Sequence, residues 1–235
     1  MRTLEQINKI KSRIIDPYSI SNFIDQADVD YLIHLYENTE KVKTRKNTGP
    51  VTLDINEFPN DPILKKVLEK IHTEIGDYKI TAGFFFWTNY PHIIHNDDTY
   101  ELPEGVYRGI TIPLKLYVPN VVNFPKLCFF DQFYFHGPTK FFKGETEVKT
   151  YYNKCLYDYT DVDGVSSQEF KDYNRKLLSH IKPRWLEGLS LHSLLEWKPT
   201  SAIIFDSVRL HCASDFRQLG IPSKLGISIF TKVDV

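Results

Sequence analysis

The stretch Gly83-Phe84-Phe85-Phe86-Trp87-Thr88-Asn89-Tyr90-Pro91-His92-Ile93-Ile94-His95-Asn96-Asp97 joins an aromatic run to a histidine and a carboxylate two residues apart. Aromatic residues favour a pleated strand. Side chains two apart on an extended segment share a face, so an imidazole nitrogen of His95 and a carboxylate oxygen of Asp97 can grip one cation. His92, three residues before His95, has no partner at that spacing. A pair alone fixes two coordination positions, and a His-x-Asp pattern recurs by chance. The rest of the chain has to supply a third ligand.

The flanks of this stretch differ in texture. Upstream, after a short polar lead, residues 14–18 read as extended. Asp25 caps a helix running to about Asn38 on an apolar stripe of Val29, Leu32, Ile33, Leu35 and Tyr36, and residues 39–50 read as a basic, solvated loop. Asp61-Pro62 opens a second helix, with Ile63, Leu64, Val67, Leu68, Ile71 and Ile75 at helical spacing until Gly76. Downstream, strands are expected over 78–89, 109–118, 127–135, 189–197, 201–210 and 224–233, with Pro113 marking an edge or a bulge. The loop 98–105 lies beside the His-x-Asp pair. Residues 136–187 form an insertion or lid, in which Ser166-x-x-Glu169 is a capping box for a helix reaching His180. Two amphipathic helices ahead of at least six strands predict a mainly β protein with flanking helices, an antiparallel sandwich or barrel braced by residues 1–77. The whole chain, 1–235, reads as a single domain with its strands in 78–135 and 188–235.

Composition narrows the function classes. Of 235 residues, 42% are hydrophobic and 14% aromatic, with 16 Phe and 14 Tyr, a bias toward aromatic-rich strands. A net charge of −1 makes nucleic acid and acidic membranes unexpected partners. The three cysteines are odd in number and lack C-x-x-C spacing, so neither a disulfide framework nor a thiolate zinc site is indicated. No signal-peptide core opens the chain, and no apolar run approaches the ~18 residues of a membrane span. A cytoplasmic protein is expected.

The third ligand candidate is His211, which follows the strand 201–210 and lies 116 residues after His95. Two histidines and a carboxylate on one face of an octahedral ion leave three positions open. That suits non-haem Fe(II), which must bind a bidentate cosubstrate and then O₂. The same ligands at a tetrahedral Zn(II) would suit hydrolysis. Thirteen residues further, Lys224 opens the last strand with Gly226 and Ser228 on its own face, a cation able to pair with a carboxylate.

His95-x-Asp97, His211 and Lys224 in these strand contexts resemble the Fe(II)/2-oxoglutarate-dependent dioxygenases, most nearly the prolyl-hydroxylase-like and phytanoyl-hydroxylase-like branches. The resemblance covers about residues 78–233 and implies a double-stranded β-helix, the jelly roll or cupin-like barrel. It implies His95, Asp97 and His211 as iron ligands and Lys224 as the residue binding the distal carboxylate of 2-oxoglutarate. Many members carry arginine with serine two residues later; this chain has Lys224, Gly226 and then Ser228. Arg209, two residues before His211, and Asn89 and Tyr90, just before the motif, are further candidate contacts to cosubstrate or substrate. The implied reaction couples decarboxylation of 2-oxoglutarate to succinate with O₂-dependent hydroxylation of an unidentified small-molecule or peptidyl substrate. A non-catalytic jelly-roll binding module, a zinc-dependent hydrolase and a cupin-like isomerase are the alternatives.

Overall fold

Alternation along the last strand sorts the molecule into layers. In the computed structural model, which describes residues 2–43, 51–99, 101–102, 105–141, 176–186 and 188–233, this strand is β9 (Lys224–Val233). Leu225, Ile227 and Ile229 point one way, into a core shared with Val29, Leu32, Tyr36, Leu64, Val67 and Ile71. Those six residues lie on α2 (Gln26–Glu37) and α4 (Pro62–Ile75), with the short α3 (Glu40–Lys43) between them in the chain, and the apolar stripes of α2 and α4 need a flat surface to cover. Lys224, Gly226 and Ser228 therefore face the opposite way, toward the second layer of strands.

Six strands make the larger antiparallel sheet, in the order β1 (Tyr18–Ile20), β7 (Ala202–Phe205), β4 (Gly109–Leu116), β9, β3 (Tyr78–Thr88) and β2 (Val51–Asp54). A smaller sheet runs β6 (Leu191–Glu196), β5 (Lys126–Phe133), β8 (Arg209–Ala213). Leu127 and Phe129 of the small sheet pack with Leu116, Ile203 and Phe205 of the large one, together with Trp197 and Phe216. The fold is thus mainly β, with α2 and α4 covering one face of the larger sheet. Among the described residues, no helix is long and apolar enough to cross a membrane.

Several elements depart from the sequence reading. The polar lead contains α1 (Leu4–Lys11), opened by a capping box in which Thr3 accepts from the Gln6 backbone and the Gln6 side chain accepts from the Thr3 backbone. The strand expected over 201–210 is two strands in different sheets, and His211 lies inside the second of them. The break falls at Asp206-Ser207-Val208, where the buried Asp206 carboxylate accepts from the Arg108 guanidinium and from the Ile15 backbone N–H. Those bonds turn the chain out of one sheet and into the other. Pro113 sits in a central strand, at a register shift between Pro113 and Lys115 that carries Lys115 out toward Glu37 and Leu116 into the inter-sheet core. The expected helix from Ser166 lies, apart from its last residues, outside the described residues.

Candidate metal centre

The extended segment carrying His95 runs alongside β8. The His95 N–H donates to the His211 carbonyl at 3.0 Å, the His211 N–H donates back at 2.9 Å, and the Asp97 N–H donates to the Ser207 carbonyl at 2.8 Å. This reciprocal pair brings two histidines 116 residues apart to ring centroids separated by 4.3 Å. Each Nδ1 meets a backbone carbonyl, His95 with Ile93 at 2.7 Å and His211 with Arg209 at 3.0 Å. A carbonyl only accepts, so each Nδ1 carries the proton and each Nε2 keeps its lone pair. Those lone pairs converge on Asp97, with His95 Nε2 3.4 Å from Oδ1 and His211 Nε2 3.2 Å from Oδ2. Ligand atoms of the three residues all lie within 4.8 Å of one another.

The electrostatics match the geometry. Burial alone would raise the Asp97 pKa, but the charge and hydrogen bonds that His211 and His95 offer it in their protonated forms hold it far below the usual carboxylate range. Burial, reinforced by His211, pushes His95 below the ordinary histidine value. At neutral pH the group therefore presents a carboxylate beside a neutral imidazole, the protonation state that divalent metal binding requires. The rings of Phe205 and Phe129 wall His211 at 4.7 and 5.6 Å.

The same aromatic layer leads to Lys224. Only 5% exposed, its ammonium lies 4.4 Å from the Trp197 ring centroid and 5.4 Å from that of Phe216. No carboxylate among the described residues pairs with it, and burial pulls its pKa down to about 7. Thr88 is its cross-strand partner, and the next residue, Asn89, holds a buried side-chain oxygen with no hydrogen-bond partner among the described residues. Trp197 can reach Lys224 because residue 226 is glycine. A Cβ there would stand 2.8 Å from Trp197 Cζ2, 3.0 Å from the Ile112 carbonyl oxygen and 3.1 Å from Phe86 Cζ. Gly226→Ala is expected to cost about 1–3 kcal/mol through overpacking. Thermal denaturation checks this, at about 2–4 °C per kcal/mol for a domain of this size. An unchanged midpoint would show that the Trp197 contact is not tight.

The remaining candidates scatter. Ser228 shares the inner face of Lys224 but lies four residues along the strand, roughly 13 Å away, too far to bind the same carboxylate. Arg209 donates to the Phe130 carbonyl at 3.0 Å, pairs with Asp16 at 3.3 Å and stacks on Phe133 at 4.2 Å. Tyr90 is 59% exposed, its ring 5.7 Å from the Arg217 guanidinium. His92, set aside on spacing, stacks its ring 4.0 Å from that of His95 at the exposed rim. Lys140 was not singled out from the sequence; a backbone bridge to His95 brings it to the centre, and nothing in its neighbours' spacing could have revealed it. A groove of about 570 Å³ opens at Asp97, walled by Ile80, Ala82, Phe84, Leu102 and Phe230, with Lys232 beyond.

No family model matches the chain, and no curated protein matches it. Solved structures do. The carbocyclase SnoK of nogalamycin biosynthesis, described as non-haem and α-ketoglutarate-dependent, is 11% identical and superposes with a TM-score of 0.50, covering 98% of this chain and 84% of its own. HygX from Streptomyces hygroscopicus, with nickel, 2-oxoglutarate and hygromycin B bound, is 9% identical with a TM-score of 0.49 over 98% of this chain and 86% of its own. The viral collagen prolyl hydroxylase of Paramecium Bursaria Chlorella virus-1 is 10% identical with a TM-score of 0.44 over 93% and 96%. The match to SnoK shows that this chain shares the fold of that structure.

Proposed function

We propose that the protein is a non-haem Fe(II)- and 2-oxoglutarate-dependent oxygenase whose strands close as a jelly roll around the His95–Asp97–His211 group. The observation that carries this reading is the convergence of two Nε2 lone pairs, each oriented by a carbonyl on Nδ1, upon one ionised carboxylate. His95, Asp97 and His211 would hold the metal, which would supply binding of 2-oxoglutarate and O₂. With Fe(II) and 2-oxoglutarate bound, the centre supplies oxidative decarboxylation to succinate and CO₂ and O₂-dependent oxidation of a C–H bond, most simply hydroxylation.

The chain's own residues orient and exclude water. Backbone carbonyls of Ile93 and Arg209 hold the imidazole planes, and Phe205 and Phe129 keep the inner side of His211 dry. Lys224 supplies a buried positive charge that meets no counter-charge among the described residues, suited to the distal carboxylate of 2-oxoglutarate. The Asn89 oxygen, unpartnered among the described residues, lies at the same end of β3 and β9. The substrate would approach by the groove at Asp97, its apolar body against Phe84 and Phe230, whose centroids are 5.9 Å apart.

Anaerobic addition of Fe(II) and 2-oxoglutarate together is expected to produce a weak visible charge-transfer band that neither gives alone. Air should then yield slow, uncoupled succinate. Tight Zn(II) binding with indifference to 2-oxoglutarate would refute the oxygenase in favour of a hydrolase. A folded protein that binds neither would point to a metal-free module.

A further inference from the structure

The ligand segment has a second face. His95 and Asp97 alternate with Asn96 and Asp98, both buried and both turned from the metal group into a polar anchorage. Asn96 Nδ2 donates to the carbonyls of Tyr134 at 3.1 Å and Gly137 at 3.0 Å, and its Oδ1 accepts from the Thr139 N–H at 2.6 Å. The carboxylate of Asp98 is gripped at both oxygens by the guanidinium of Arg2, through Nη1 on Oδ2 and through Nη2 on Oδ1 at 2.9 Å. The same guanidinium donates to the carbonyls of Phe135 at 2.7 Å, Thr99 at 3.0 Å and Leu102 at 3.0 Å. The side chains of Arg2 and Asp98 are 7% and 0% exposed.

The surroundings are shaped to this contact. Asp98 Oδ1 also accepts from the Val106 N–H at 3.3 Å. Gly105 turns beneath with φ +72, where a Cβ would press within 3.3 Å of Asp98 Oδ1 and 3.4 Å of Arg2 Nη2. Helix α1, which begins two residues after Arg2, is held by apolar contacts as well: Ile10 packs with Phe135 and Val208, and its Cδ1 borders the same Gly105 position as Asp98 and Arg2. The arm is therefore docked by apolar contacts as well as by its arginine, and the arginine's planar fork is committed to one carboxylate and three carbonyls.

We propose that Arg2 is a positioning residue of the metal centre: acting through Asp98, its guanidinium fixes the direction in which the Asp97 carboxylate leaves the ligand segment. Asp97 is held on its N-terminal side by its own N–H on the Ser207 carbonyl and on its C-terminal side by the grip of Arg2 on the Asp98 carboxylate. Releasing the second hold lets the carboxylate swing away from the two Nε2 atoms. The inference rests on the metal-centre reading above.

Co(II) titration of the full chain, followed by its visible d–d bands, tests it without reference to turnover. Arg2→Ala is expected to weaken Co(II) binding by about 10–100-fold, the usual effect of losing an outer partner of a ligand, and to change the d–d bands. Arg2→Lys keeps the charge and loses the fork, so it should fold and restore affinity only in part. Should Arg2→Ala fail to fold, Arg2→Lys and the paired Arg2→Ala/Asp98→Ala variant, which leaves no buried charge alone, supply the reading, and both should bind weakly. Variants that melt earlier yet bind Co(II) within about twofold of wild type, well short of the outer-partner effect, and with unchanged bands would reduce Arg2 to a structural brace and overturn the proposal. Wild-type protein that binds no Co(II) at all would remove the metal centre itself, and the inference with it.

Discussion

Replacing His211 with alanine is expected to abolish Fe(II)-dependent turnover of 2-oxoglutarate while leaving the fold in place. The backbone pairing of residues 95 and 211 uses only N–H and C=O groups, so truncating the imidazole spares it. The side chain, however, performs three tasks. It supplies one of three ligand atoms within 4.8 Å of one another, it helps hold Asp97 ionised, and it fills space between His95, Phe205 and Phe129. Loss of an outer partner of a metal ligand already weakens binding by about 10–100-fold, so loss of the ligand itself should exceed a hundredfold. The void is expected to cost a further ~1–3 kcal/mol of stability, short of a large aromatic truncation. Isothermal titration with Fe(II) under anaerobic conditions and succinate release in air read the two effects separately. Retention of wild-type affinity by a folded His211→Ala protein would remove His211 from the centre.

Lys224→Met is expected to do the opposite to stability and the same to function. Among the described residues the buried ammonium meets no counter-charge, which strains the folded state, and the Trp197 and Phe216 rings offset part of its desolvation. Its pKa is about 7 in the folded protein, against about 10.4 for an unfolded lysine. Between these values the unfolded chain holds the proton and the folded chain has released it, so the wild type gains stability as pH rises through that window. Below pH 7 the penalty is constant and complete. Methionine removes it, and exchanges of buried ions for apolar residues of similar size have stabilised other proteins by about 1–4 kcal/mol. The Tm of Lys224→Met should therefore exceed that of wild type at pH 6–7 by about 2–4 °C per kcal/mol gained, and the gap should close toward pH 10.

Cosubstrate binding should fall in the same variant by at least about thirtyfold, as expected when one partner of a buried charge pair is truncated. For the wild type, affinity for 2-oxoglutarate should decline by about tenfold per pH unit above 7, because binding must first restore the Lys224 proton. Melting curves across pH 6–10 and anaerobic titration of Co(II)-loaded protein measure both effects. A variant less stable than wild type at every pH, with unimpaired 2-oxoglutarate binding, would mean that Lys224 serves only to pack Trp197.

Some of this architecture was readable because the relevant signals are local. Asp61-Pro62 and Gly76 bracket α4 in the chain as they do in the fold, and Asp61 Oδ1 accepts from the backbone of Ile63 and Leu64. The bulge at Pro113 follows from a missing N–H. Other elements carried no sufficient local signal. β1 and β2 are three and four residues long and exist through their partners β7 and β3. The run from Ser201 to Leu210 reads as one apolar strand because the bonds that break it, from Arg108 and Ile15 to Asp206, come from 98 and 191 residues away. Arg209 shows the same limit: alternation put it beside His211, but Asp16, which claims its guanidinium, is 193 residues distant.

Local spacing sets the faces: His95 with Asp97, Lys224 with Gly226, and the apolar stripes of α2 and α4. Backbone period sets the direction of neighbouring side chains, so spacing alone suffices. Tertiary structure decided which faces meet. The pairing of His95 with His211, the two carbonyls that fix their tautomers, the isolation of Lys224 among rings and the grip of Arg2 on Asp98 all depend on strand register and packing between distant segments. Closing loops of about a hundred residues costs little more entropy than closing short ones, so no local spacing rule selects the partner. The choice falls to the layer of aromatic side chains between the two sheets, which packs in one register.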